Sequence, residues 1–213
     1  MEYLINIFKF MMKGSGVTLS LYFITQLFSI PLGLAAAVGK VSGNKWTRFL
    51  IDVYTWLFRG TPLMLQLFFF YYGLPVMGIR IGGFGSACLT FVLNYGAYYT
   101  EIMRSGIEAV DEGQHEACHC LGMSYWQGML RVIIPQGIRK VIPPLTNESI
   151  TLVKDTALVA AIGIGDVLRG AKQIVTRDFT IVPFVLAAVF YLAFTTVVVL
   201  FFRKIENKYS YFN

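Results

Sequence analysis

Asp111 to Gln136 reads DEGQHEACHCLGMSYWQGMLRVIIPQ, and this stretch decides how the rest of the chain is understood. It is the longest polar interruption in a mostly apolar sequence, and the segments on either side are each long enough to cross a bilayer. Two helical halves meet at Leu121-Gly122, where glycine turns at low cost. Glu112 and Glu116 lie one turn apart in the first half. In the second half Trp126, Met129, Leu130 and Ile133 recur at helical spacing, and Pro135 is expected to kink or end the helix. A short, partly apolar helix at a membrane surface needs something to dock into, because its apolar side is otherwise exposed.

Composition places the whole chain in a membrane. It is 56% hydrophobic and 14% charged, with a mean hydropathy of +0.61, whereas soluble domains carry about 25% charged residues. The 213 residues suffice for one domain of five or so helical spans at about 20 residues each. The net charge of +6 comes from cations scattered at segment ends, which suits topology control and not nucleic-acid binding. Cys88, Cys118 and Cys120 are odd in number and follow no disulfide framework. The first apolar segment has no clear cleavage site and reads as a retained span.

In chain order, residues 1–12 form a short amphipathic run suited to the outer interface. The first span is residues 14–38, with Pro31 and Gly33 as kink points. The second is 51–72, broken at Arg59-Gly60-Thr61-Pro62. The third is 84–108 and leads into the polar stretch. The fourth is 142–164, opened by Pro143-Pro144. Residues 165–180 are polar and external, 181–202 form the fifth and most apolar span, and 203–213 are a tail. With the N-terminus outside, eleven Lys and Arg residues fall on the inner side. Six fall outside: Lys9, Lys13, Arg80, Arg169, Lys172 and Arg177. That bias orients the chain N-terminus out and C-terminus in.

The opening stretch also resembles a known motif. Glu116-Ala117, Gly122, then Val132, Ile134 and Pro135 are similar to the EAA loop, E-A-A-x3-G-x9-I-x-L-P, of permeases from binding-protein-dependent ABC importers. Cys118, Val132 and Ile134 are small departures from it. The blocks from Arg59 to Pro75, Asn94 to Val110 and Asn147 to Gly163 resemble the polar amino acid branch of that family, and the likeness covers residues 13–204. The resemblance implies an all-α membrane fold of about five spans, the type I importer permease fold, as a single domain over residues 1–213. It implies that 111–136 is a cytoplasmic coupling loop entering an ATPase groove, with Glu112, Glu116, Ala117, Gly122, Met123 and Ser124 as the coupling residues. It further implies two ATPase subunits that hold ATP and magnesium, a second permease copy or paralogue, an extracytoplasmic amino acid-binding protein and a multi-pass location in the cell membrane. This chain itself carries no nucleotide motif: Gly82-Gly83-Phe84-Gly85 lacks the lysine and spacing of a phosphate loop. It is therefore expected to be no enzyme and to hold no cofactor.

Ionisable residues within spans are costly and mark sites or ion pairs. Glu101 shares a polar face with Asn94, Tyr98 and Ser105. The fourth span carries Glu148, Lys154 and Asp155, with Asn147, Thr151 and Thr156 nearby. For an amino acid cargo, Lys154 suits the carboxylate, and Glu101 or Asp155 suits a cationic group. The alternative is an ion pair that only locks helices, Glu101 with Lys154 or Asp155 with Arg104. After the Thr61-Pro62 break, Gln66, Leu67 and Phe69 are candidates, because a broken helix frees backbone groups at membrane depth. Glu101, Glu148 and Asp155 outnumber Lys154, an excess of negative charge that favours a basic amino acid over glutamine or glutamate. On that count Glu101→Gln should cut arginine transport sharply. His115, Cys118, His119 and Cys120 include three adjacent residues that cannot converge on one metal, so no metal site is expected. Two rivals are a proton-coupled secondary transporter using Glu101 or Asp155, and a membrane enzyme, for which His115 and His119 have no catalytic partners.

Overall fold

The computed structural model describes residues Glu2 to Tyr209; Met1 and the end of the expected tail lie outside the described residues. Among those residues there is no strand. The helices are α1 (Glu2–Met12), α2 (Ser15–Ser42), α3 (Lys45–Gly60), α4 (Leu63–Val76), α5 (Gly82–Glu108), α6 (Glu112–Cys120), α7 (Tyr125–Gly128), α8 (Ile134–Asp155), α9 (Val167–Asp178) and α10 (Val182–Tyr209).

The helices are more numerous than the five expected spans, and the reason lies in where the chain breaks. The expected second span is two helices, because Thr61 and Pro62 adopt extended backbone between α3 and α4. The fourth span also differs. Pro143 and Pro144 do not open it; they sit inside α8, which starts earlier, at Ile134. Membrane helices tolerate such prolines where neighbouring groups satisfy the freed carbonyls. Pro135 does not end its helix either. A π-helical turn, Met129–Ile133, bridges α7 and α8, so the helix widens just before the residue that lacks an N–H. α2 runs through Pro31, and much of the expected tail is the last part of α10.

Among the described residues, only the α1–α2 segment and α10 are long and apolar enough to cross a membrane by length and composition. α5 is equally long but fails on composition, because it lies at the centre of the bundle. Phe91, Tyr95, Tyr99, Met103 and Ile107 are buried in the main core with Leu21 and Tyr22 of α2 and Leu152 and Val153 of α8. A helix surrounded by protein needs no lipid-compatible surface, so it can carry Asn94, Thr100 and Glu101. α5 and α8 touch backbone to backbone at Gly106 and Gly137. A Cβ on Gly106 would lie 2.2 Å from Val141 Cγ1, and one on Gly137 2.9 Å from the Gly106 carbonyl oxygen. No larger residue fits that crossing without moving a helix.

A smaller core lies at the end of the bundle away from α6. Ile7 and Met11 of α1 pack with Val167, Ala171 and Ile174 of α9 and Ala187 of α10. Asp166 caps α9 by accepting from the Leu168 and Arg169 N–H groups, and also accepts from the Tyr191 hydroxyl. At the helix's other terminus the Tyr3 hydroxyl donates to Asp178, 2.7 Å away, tying α1 to α9.

Candidate functional site

Midway along the bundle the α3–α4 break faces α5 and the upper part of α8, and the three enclose a half-open cavity of about 480 Å³. Arg59, Gly60, Thr61, Pro62 and Leu63 line it from the break. Asn94, Tyr95 and Tyr98 line it from one face of α5, and Glu148, Thr151 and Asp155 from one face of α8. The Arg59 guanidinium lies 5.4 Å from the centroid of the Tyr98 ring, within cation–π range. The Tyr95 hydroxyl donates to Asp155 at 2.7 Å, which orients that carboxylate. Glu148 accepts no hydrogen bond from a described residue. The cavity thus presents one cation, two carboxylates, three aromatic or amide side chains and two threonines.

Of the residues expected at a substrate site, Asn94, Tyr98 and Asp155 are brought together here. The others are placed elsewhere. Glu101 lies in an ion-pair cluster toward the α6 end: Lys40 is 2.6 Å away and Arg104 is 2.9 Å away. Lys40 also pairs with Asp52 at 2.6 Å, and Arg104 pairs with Glu108. Neither Lys154 nor Arg104 plays the pairing role expected of it. Lys154 is exposed and is not among the lining side chains. Leu67 is fully buried in the core. Phe69 lines a separate, almost wholly apolar cavity with Leu57, Phe58 and Phe70. Thr156 is buried, with its hydroxyl bonded to the Val153 carbonyl at 2.7 Å. Sequence reasoning missed Arg59 and Tyr95. The available signal for Arg59 was its position immediately before a helix break at membrane depth.

The stretch from Asp111 to Gln136 is ordered by its own caps. Asp111 accepts from the Gly113 N–H and starts α6. Gly122 has φ +69°, the left-handed conformation. Its N–H donates to the His119 carbonyl while the Met123 N–H donates to that of Cys118, a Schellman ending. Two residues later Ser124 and Gln127 form a reciprocal capping box that starts α7. Cys118 is buried against Gly128, so the halves pack on each other. His115, Cys118 and His119 line a small cavity of about 230 Å³ with Met123 and Ser124. Glu112, Glu116 and Ala117 are exposed, as are Leu121, Tyr125, Trp126 and Leu130. Ser42 at the end of α2 meets Tyr125 through a 2.6 Å hydroxyl contact, which anchors the loop to the bundle.

Long helices surround a charged, half-open cavity, with a self-capped loop at one end. Comparison with known proteins gives the family. Residues 29–211 match the model of the binding-protein-dependent transport system inner membrane component, and the chain belongs to that family. Its relatives include the arginine transport system permease protein ArtQ of Bacillus subtilis (strain 168), 35% identical over 93% of this chain and 92% of that protein. A putative glutamine transport system permease protein GlnP of Rickettsia bellii (strain RML369-C) is also 35% identical, over 97% of both chains. Among solved structures, an amino acid ABC transporter with histidines superposes with a TM-score of 0.88 at 33% identity, covering 97% of both chains. The MetNI methionine ABC transporter superposes with a TM-score of 0.80 at 18% identity, over 94% of this chain and 96% of that one, a likeness of fold alone. The fold is the type I ABC importer permease fold, and the chain is an amino acid ABC permease of the inner membrane.

Proposed function

We propose that this chain is the membrane subunit of an ATP-driven importer whose cargo is a basic amino acid: arginine, lysine or histidine. One observation carries the reading. The cavity at the α3–α4 break sets two carboxylates, Glu148 and Asp155, against one guanidinium, Arg59. Any amino acid brings a carboxylate and an ammonium, which satisfy Arg59 and one acid. The second acid at membrane depth is then matched by a cationic side chain. The sequence count of three acids against Lys154 gives an excess of two; the cavity keeps two of those acids, Glu148 and Asp155, sets them against Arg59, and leaves an excess of one. The relative named for arginine supports it. Glutamine or glutamate is the second reading, favoured by the relative named for glutamine at the same identity.

In this reading two partner ATPase subunits bind ATP and magnesium and receive the α6–α7 loop through Glu112, Glu116, Ala117, Gly122, Met123 and Ser124. A second permease copy or paralogue completes the pathway. An extracytoplasmic binding protein delivers cargo at the α9 end. The N-terminus lies outside and the C-terminus in the cytoplasm. ATP draws the paired loops together and turns the cavity outward; hydrolysis returns it inward. The test is uptake of labelled arginine and glutamine by the reconstituted complex with its binding protein. Arginine uptake that needs ATP and survives collapse of the proton gradient supports the reading. Uptake that follows the proton gradient without ATP refutes it, and preference for glutamine replaces the cargo.

A further inference from the structure

The α3–α4 break leaves backbone carbonyls without helical partners at membrane depth, where an unmet polar group is expensive. Two buried amide side chains meet them. Gln66 Nε2 donates to the Phe58 carbonyl at 2.8 Å, to the Thr61 carbonyl at 3.1 Å and to Thr61 Oγ1 at 2.7 Å. Asn94 Nδ2, from α5, donates to the same Phe58 carbonyl at 2.9 Å and to Gln66 Oε1 at 3.0 Å. The Thr61 hydroxyl donates to the Leu57 carbonyl, closing the knot on α3. Arg59 sits between Phe58 and Thr61, the two residues whose carbonyls are tied. Its guanidinium is the cavity's only cation among the lining residues, and it is aimed over Tyr98.

We infer that Gln66, acting with Asn94, is a positioning residue that clamps the broken helix end so that Arg59 stands ready to receive the α-carboxylate of the cargo. The inference rests on the amino acid reading above and deepens it. Gln66 does not line the cavity and touches no cargo; it acts through the backbone on either side of Arg59. An ordinary proline break needs no such clamp. Here one carbonyl, that of Phe58, takes donors from two different helices, fixing the break against α5 in one orientation. Loss of the clamp lets Arg59 leave the ring of Tyr98, and recognition of the carboxylate weakens while recognition of the cargo's cationic groups remains.

The test is a ratio that a merely structural role leaves unchanged. Concentrations for half-maximal stimulation of ATPase activity are measured on the full complex for L-arginine and for L-argininamide, which lacks the carboxylate. In the wild type arginine is favoured by about tenfold or more, the worth of a hydrogen bond to a charged group. Arg59→Met brings that ratio close to one. Gln66→Leu, similar in size but without donors, lowers it most of the way, and the double variant lowers it no further. A Gln66→Leu complex that weakens both ligands in parallel with the ratio intact overturns the inference, as does a wild type with no preference for the carboxylate. Should Gln66→Leu fail to assemble, Gln66→Met, more flexible and likewise without donors, is read by the same ratio. A wild type stimulated by glutamine and not arginine defeats the basic-cargo reading alone. The ratio is then taken with glutamine and glutaminamide, because the carboxylate is common to both.

Discussion

Two clusters of charge occupy the inner helices of this protein, and they differ in one respect. Around Glu101 every carboxylate has a cation of the same chain: Lys40 pairs with Asp52 and Glu101, and Arg104 with Glu101 and Glu108. Around Asp155 two carboxylates and one guanidinium face open space, with the guanidinium set on an aromatic ring and one carboxylate on a tyrosine hydroxyl. The first cluster is complete and joins α2, α3 and α5. The second is one cation short. An ionisable residue within a span is therefore a candidate for binding only when its neighbours leave it unmatched.

That contrast can be broken most directly at the cavity. Glu148→Gln and Asp155→Asn should each raise the arginine concentration needed for half-maximal transport by about ten- to a hundredfold, the loss of one charge-assisted contact. Assembly of the complex should survive, since removing one of two neighbouring acids relieves repulsion. Unchanged concentration dependence in both variants would remove the cavity from the pathway.

The next effect is on assembly. Glu116 is an exposed carboxylate without an ion pair among the described residues, and it lies on the loop proposed to dock the ATPase. Glu116→Lys should lower co-purification of the ATPase severalfold, because it reverses a charge at the contact surface. Equal recovery of both subunits from wild type and variant would argue against that contact.

At the completed cluster, Glu101→Gln should leave arginine recognition within about twofold of the wild type, and should destabilise the protein by about 1–2 kcal/mol, seen as a thermal midpoint a few degrees lower. Lys40 and Arg104 keep Asp52 and Glu108 as partners, which limits the loss. This reverses the sharp drop in transport that the sequence alone suggests. A large loss of arginine affinity would return Glu101 to the pathway.

The smallest effect is at the far end. Arg177 and then Tyr3 hold the Asp178 carboxyl down from its ordinary value to about 2. A depressed carboxylate contributes stability above its unfolded pKa, about 3.9, and loses it as pH falls toward 2. Protection of the α1 amides, relative to their intrinsic exchange rates, should therefore fall between pH 4 and pH 2 in the wild type, and should be already low and less pH-dependent in Tyr3→Phe. An identical pH response in both would separate Asp178 from α1.

Much of this was legible in the sequence. The loop at Glu116 and Gly122, the break at Thr61-Pro62, the polar segment after Gly165 and the amphipathic start are local patterns, carried by residues a few positions apart. The site was only partly legible. Asn94, Tyr98 and Asp155 could be found because each is polar in an apolar run. The Lys40 partner of Glu101 could not, since it lies 61 residues away and belongs to a helix end that reads as topology control, whereas Arg104 is one turn along the same helix and reads in the sequence as a partner for Asp155 instead. Arg59 was hidden for the same reason: a cation beside a break reads as a boundary until the break is seen to face α8. Prolines misled in the other direction, because Pro143 and Pro144 look like a start and are absorbed by α8.

The contact of Gly106 with Gly137 has a mechanical consequence. It lies between the α6–α7 loop and the cavity, and the two backbones approach directly there. It can serve as a fulcrum. Asp155 is eighteen residues beyond Gly137 on α8, a lever arm of roughly 27 Å at 1.5 Å per residue. A pivot of roughly ten degrees at the glycines would swing the carboxylate by about 5 Å on that arm. A modest tilt imposed at the loop would then be enough to pull Asp155 away from an arginine held at the break.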